Sequence, residues 1–134
     1  MGLFSGTRPE YLGVRDGRLA PAKRTPNNVN SQAIADAEHF IEPLHYSGDA
    51  ARAWARLRKI VERMPRAKVI TAAPNYLYAE FSSKRMGFVD DTEFYLDERS
   101  GVIQVRSAAR LGSSDFGVNR ARIESIRTQL AQAE

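Results

Sequence analysis

The sequence contains no cysteine. A disulfide framework, a thiolate metal site and a cysteine nucleophile are therefore all excluded, and the chain suits a reducing compartment. Histidine is nearly as scarce: His39 and His45 are the only two. A serine hydrolase with a histidine base has little to draw on, and no Gly-x-Ser-x-Gly elbow occurs. No apolar run approaches the roughly 18 residues of a membrane span. The leading Met1-Gly2-Leu3-Phe4-Ser5-Gly6 lacks the apolar stretch of a signal peptide. Gly2 invites a myristoylation reading, but Gly6 stands where that motif needs Ser or Thr. The expectation is a soluble, cytoplasmic protein with no membrane insertion.

What is present is globular material. The 134 residues are 43% hydrophobic and 27% charged, which suffices for one domain that buries roughly two-thirds of its unfolded surface without staples. Twenty Lys+Arg against 16 Asp+Glu leave a net charge of +4, too small by itself to establish a nucleic-acid partner.

Residues 1–48 hold Pro9, Pro21, Pro26 and Pro43 and show no long helical period. They read as an irregular arm packed on the domain, with a short helical turn around Gln32 to Glu38 and a docking knot of Phe40, Ile41, Leu44 and Tyr46. From Asp49, an N-cap, the spacing of Ala50, Trp54, Leu57, Val61 and Met64 predicts an amphipathic helix that Pro65 ends. Four strands follow, over Lys68 to Ala72, Tyr76 to Ser82, Gly87 to Asp97 and Val102 to Leu111. In the second hairpin, alternation sets Leu96, Phe94 and Thr92 opposite Ile103, Val105 and Ser107 on one face. It sets Glu93 opposite Arg106 and Tyr95 opposite Gln104 on the other. Asn119, Ile123, Ile126 and Leu130 mark a final helix. The fold expected is an α+β two-layer sandwich over 49–134: a four-stranded antiparallel meander with two helices on one face, in the order arm-α-β-β-β-β-α.

Three stretches carry a family resemblance. They are Thr25-Pro26-Asn27-Asn28-Val29-Asn30-Ser31-Gln32-Ala33, then Tyr76-Leu77-Tyr78-Ala79-Glu80-Phe81 with Met86-Gly87-Phe88-Val89-Asp90-Asp91-Thr92-Glu93-Phe94, and Arg106-Ser107-Ala108-Ala109-Arg110 running on through Asp115-Phe116-Gly117-Val118-Asn119-Arg120 to Arg127. Over roughly residues 20 to 130 the chain resembles the bacterial and plastid family called domain of unknown function 1499. The resemblance implies no reaction, substrate or cofactor. The family often has Cys in the Pro-Asn-Cys-Val string where this chain has Asn28, so a thiol role at that position is not open to it.

His39, Glu42 and His45 imitate a metal motif, but Pro43 interrupts any helix and a strand would turn Glu42 away from both histidines. No metal or cofactor is expected. The candidate polar cluster is Asp91, Glu93, Arg106 and Arg110, read first as a cross-strand ion-pair ladder and second as acid–base machinery. A second candidate spans Ser113, Ser114, Asp115 and Arg120, where free amides at a helix start want either a capping side chain or an external anion. Arg52, Arg56, Arg58, Lys59, Arg63, Arg66 and Lys68 stand against Glu62 alone on and after the first helix, the only feature that favours nucleic acid. The leading functional expectation is a non-enzymatic binding or interaction module for a small anionic ligand or a protein partner. An enzyme using the Asp/Glu/Arg cluster is the alternative, and a weak nucleic-acid binder through the basic helix is third.

Overall fold

The computed structural model describes residues 4–84 and 86–132. Met1, Gly2 and Leu3 of the N-terminal reading and residues 133–134 of the expected domain lie outside them. The elements are β1 (Asn28–Asn30), β2 (Leu44–His45), α1 (Ala50–Arg63), β3 (Ala67–Ala72), β4 (Tyr76–Ser82), β5 (Val89–Asp97), β6 (Val102–Ala109) and α2 (Val118–Gln132). The four-strand meander is present, but the sheet has six strands in the order β1-β6-β5-β4-β3, with β2 also on β6. The two additional strands come from the arm and pair antiparallel with the outer edge of β6. Runs of three and two residues show no measurable alternation, so their strand character comes from the open edge of β6 and not from their own pattern. The region expected to contain a helical turn makes separate turns instead: the Ala33, Asp36 and His39 amides each bond a carbonyl three residues back.

The helices form where the apolar stripes demand. Asp49 caps α1 by accepting the Arg52 amide at 3.3 Å. Ala53, Leu57 and Val61 are buried, while Trp54 is half-buried and donates its indole N–H to the Ala73 carbonyl at 3.0 Å. Asn119, Ile123, Ile126 and Leu130 are the buried residues of α2. Both stripes pack on Leu77, Ala79, Phe81, Phe94, Leu96, Ile103 and Val105 of the sheet, with Ile41 and Leu44 of the arm closing the same core. The β5/β6 register pairs Leu96 with Ile103, Phe94 with Val105, Thr92 with Ser107, Glu93 with Arg106 and Tyr95 with Gln104, as alternation requires.

Within the apolar layer lies a polar seam. Thr92, Ser107 and Asn119 are fully buried; the two hydroxyls meet at 2.8 Å and Ser107 bonds the Asn119 side chain at 2.5 Å. Asn119 also donates to the Asn27 carbonyl at 3.2 Å. Arg122 reaches Asn119 Oδ1 at 2.7 Å and Asp90 at 2.8 Å. Each buried donor or acceptor in the seam is thereby matched, which fixes how α2 starts against the sheet.

Candidate functional site

Period-two alternation sends Tyr76, Tyr78 and Glu80 of β4, Asp91 and Glu93 of β5 and Arg106 of β6 to the face opposite the helices. A one-sided antiparallel sheet would leave that face in water. Here the arm crosses it. The Gly13 amide donates to Glu93 Oε2 at 2.7 Å and Arg106 donates to the Pro21 carbonyl at 3.3 and 3.4 Å. The Tyr11 ring lies 4.9 Å from the Arg106 guanidinium, in cation–π contact. Gly13 holds φ of +106°, a conformation that costs a side chain dearly and that lets the arm bring its N–H down onto the carboxylate.

The result is a buried charged layer. Glu93 is 0% exposed and Arg106 1%, so the expected ladder is an interior one. Its cross-strand geometry is as expected; its burial reflects the arm, a segment that the alternation of β5 and β6 does not report. Tyr76 donates its hydroxyl to Glu93 Oε2 at 2.6 Å. The remaining oxygen, Oε1, faces Arg106 Nη1 at 3.8 Å, and neither atom has a hydrogen-bond partner. Burial pushes the Glu93 carboxyl up, against the opposing hydrogen bonds and Arg106. The neighbouring half of the cluster is held more tightly.

 Arg110 donates to both Asp91 oxygens at 2.8 and 2.9 Å and to Glu80 at 2.5 Å, and its third nitrogen reaches the Ser5 carbonyl at 3.3 Å. Tyr78 donates to Asp91, and Arg8 of the arm closes on Glu80 at 2.7 Å. Burial alone would raise the Glu80 carboxyl, but hydrogen bonds from Arg8, Arg110 and Tyr78 outweigh it and hold it below the ordinary value. Asp91, Glu93, Arg106 and Arg110 thus share one layer.

The second set does not converge. The Asp115 carboxylate takes the Gly117 amide at 3.0 Å and the Asn119 amide at 2.9 Å, the capping arrangement. Ser114 accepts from the Phe116 amide at 3.4 Å and Ser113 is exposed. Arg120 turns to the Glu38 carbonyl at 3.1 Å while Arg110 is committed to the sheet cluster. His39 and His45 also part. His39 is buried between Asp36 at 2.6 Å and the Thr25 carbonyl at 2.9 Å, whereas His45 is exposed beside Glu42 at 3.7 Å. Among the described residues no three His, Asp or Glu side chains are placed to hold a metal ion.

Sequence reasoning missed the outer surface of the arm. There a groove of about 1110 Å³ runs past Arg8, Tyr11, Arg15, Arg18, Lys23 and Arg110, with Glu10 the one acidic lining residue among those described. Arg8 and Arg110 are neutralised by Glu80 and Asp91. Arg15, Arg18 and Lys23 instead donate to the carbonyls of Tyr11, Gln32 and Ala109. Carbonyls satisfy the donors without cancelling the charge. Burial, and then repulsion from Arg106, lower the Lys23 ammonium below its ordinary value, against the attraction of Asp91 and Asp90. The only signal in the sequence was the recurrence of Arg and Lys in a segment with no period of its own.

Fold and site together define a small α+β domain whose charged sheet face is roofed by its own N-terminal arm. Residues 18–130 match the model of the protein family of unknown function DUF1499, and the chain belongs to that family. No curated protein matches it. Glu93, Arg106, Asp91 and Arg110 all lie inside the matched range, whereas Tyr11 and Gly13, which cover them, precede it.

Proposed function

We propose that this domain is a non-enzymatic, cytoplasmic binding module that takes a small anionic ligand, carrying phosphate or carboxylate groups, in the groove of the arm. In this reading residues 1–48 are the wall of a single domain and not a separate unit. The observation that carries it is the charge around the groove: among the described residues Arg15 and Arg18 bond neutral carbonyls and pair with no carboxylate, Lys23 donates to the Ala109 carbonyl, and Glu10 is the one carboxylate in the lining. An anion there would relieve repulsion that Lys23 already feels from Arg106. Concave shape with a few convergent polar groups is the usual form of a small-ligand site. The test is thermal unfolding with inorganic phosphate and citrate against chloride at matched ionic strength. Saturable stabilisation of the wild type, lost in an Arg15→Gln, Arg18→Gln protein, is expected; both residues are exposed, so the variant folds. Equal melting temperatures in all three salts would refute the proposal.

One observation favours the enzymatic alternative: Glu93 is pushed up and Glu80 held down, the separation expected of an acid and a base. Against it, Glu93 is sealed beneath Gly13 and Tyr76, and a substrate would have to displace the arm to reach it.

A further inference from the structure

At one end of the sheet two neighbouring loops hold apolar side chains out into solvent. Met86 stands in the β4–β5 loop beside Phe88, which is 37% exposed and stacks on Phe4 at 5.0 Å between ring centroids, and Leu111, Phe116 and Val118 stand on the β6–α2 connection and the first residue of α2. These are five of the seven large hydrophobic residues exposed among those described. Phe116 is 96% exposed. It also has φ of +53°, a backbone state that a bulky residue seldom adopts. The seam around Asp115 and Asn119 holds the turn in that state, through the Gly117 and Asn119 amides. Between the two loops lies a cavity of about 370 Å³ lined by Phe88, Val89, Leu111, Phe116 and Val118 among others. Apolar residues scattered singly need no explanation, but a clustered and protruding set marks a contact surface.

The charges beside the patch choose the occupant. Lys84 is exposed in the same loop as Met86 and makes no ion pair among the described residues. The nearby acids are already engaged: Asp90 holds Arg122 at 2.8 Å and Asp115 holds the start of α2. A second copy meeting this patch with its own patch would bring the same cation, and the carboxylates beside it are already engaged. Phe116, 96% exposed and flanked by a lysine unpaired among the described residues, gains most from a surface into which its whole ring can sink beside negative charge.

We infer that this end of the domain docks on an anionic phospholipid surface, with Phe116, Met86 and Leu111 entering the interface and Lys84 at the level of the headgroups. This is peripheral contact by loop tips, and it is independent of the anion groove. Aromatic and aliphatic side chains settle at that depth, and a lysine near the surface strengthens attachment to acidic lipid.

The test is co-sedimentation of the full chain with vesicles of pure phosphatidylcholine and of equal parts phosphatidylcholine and phosphatidylglycerol. Binding to the mixed vesicles is expected. Phe116→Ala should weaken it by about tenfold or more, and Lys84→Ala by about fivefold. Both side chains are exposed, so unchanged thermal unfolding of each variant separates lost docking from lost folding. Binding to mixed vesicles that Phe116→Asp leaves intact would place the contact elsewhere, on general positive charge, and overturn the inference. So would the absence of vesicle binding, whether or not sedimentation at rising protein concentration reveals a dimer that Phe116→Asp abolishes. Failure in the phosphate experiment leaves this result untouched, because the vesicle variants lie outside the arm.

Discussion

The buried pair of Glu93 and Arg106 yields a quantitative test of the roof. Arg106 Nη1 and Glu93 Oε1 are 3.8 Å apart in a layer where both side chains are essentially inaccessible. On a wet sheet surface such a pair would couple by about 1 kcal/mol or less. At an effective dielectric constant of about 20, the same separation corresponds to roughly 4 kcal/mol. Removing one partner of a buried pair typically costs about 3 to 5 kcal/mol, because the survivor is left uncompensated. The experiment is a double-mutant cycle of Glu93→Gln, Arg106→Met and the double variant, read from equilibrium denaturation at neutral pH. The expected coupling is about 2 to 4 kcal/mol, with Arg106→Met the more damaging single change. Lowering the pH should shrink the Arg106→Met penalty, since the stranded carboxyl can then take a proton. The direction follows from Glu93 itself. Its folded pKa is raised, so the stability it contributes is present below the unfolded value and is lost as pH rises through the folded one. A coupling under about 1 kcal/mol would mean that water reaches the pair and that the arm does not stay on it.

Gly13→Ala should loosen the same roof, since it forces a side chain into φ of +106° beside the bond to Glu93; faster amide exchange at residue 13 and a lower denaturation midpoint are the readouts. Trp54→Ala should cost about 3 kcal/mol, the lower end for a buried aromatic because Trp54 is half-buried, and an unchanged melting temperature would remove it from the core. Asp115→Ala should destabilise by roughly 0.5 to 2 kcal/mol through lost capping, and a variant as stable as the parent would show that the cap is idle. His39 is bonded at both ring nitrogens; burial opposes its charge, but Asp36 and the Thr25 carbonyl raise its pKa above 6.5. Its stabilising contribution is therefore fully present below pH 6.5 and is lost as pH rises through the folded value, and a His39→Gln protein should lack that part of the pH dependence.

The sequence was most informative where neighbours along the chain are also neighbours in space. The β5/β6 register is an example: slipping it by one residue would set Phe94 and Leu96 against Arg106 and Gln104, so alternation alone excludes the slip. The α1 and α2 stripes were legible for the same reason. The short strands β1 and β2 were not, because what makes Asn28–Asn30 extended is the free edge of β6 about 75 residues further on. The resemblance string around Asn27, Asn28, Asn30 and Ser31 has a comparable explanation. Their side chains bond backbone groups of Gly112, Thr25, Ala20 and Val105 respectively, tying irregular chain to the sheet where no ladder can do so.

The candidate site divides along the same line. That Asp91, Glu93 and Arg106 share a face follows from alternation, and Arg110 joins them one residue past the end of β6. Their burial does not follow, since it depends on where a segment without periodicity comes to rest. The cost of placing those charges under the arm is met by donors and acceptors from the arm itself: the Gly13 amide for Glu93, the Pro21 carbonyl for Arg106 and Arg8 for Glu80. Those bonds use the polar groups on the arm's inner side, where Lys23 also meets the Ala109 carbonyl, and the exposed side keeps the charges of Arg15 and Arg18. A ligand that neutralises the outer cations would therefore act on the same segment that seals Glu93 and Arg106. If the groove binds phosphate, exchange of the Gly13 amide should slow in its presence, because ordering the wall from outside also holds the roof in place. Phosphate that stabilises the protein while leaving that amide unchanged would show that groove and buried layer are energetically separate.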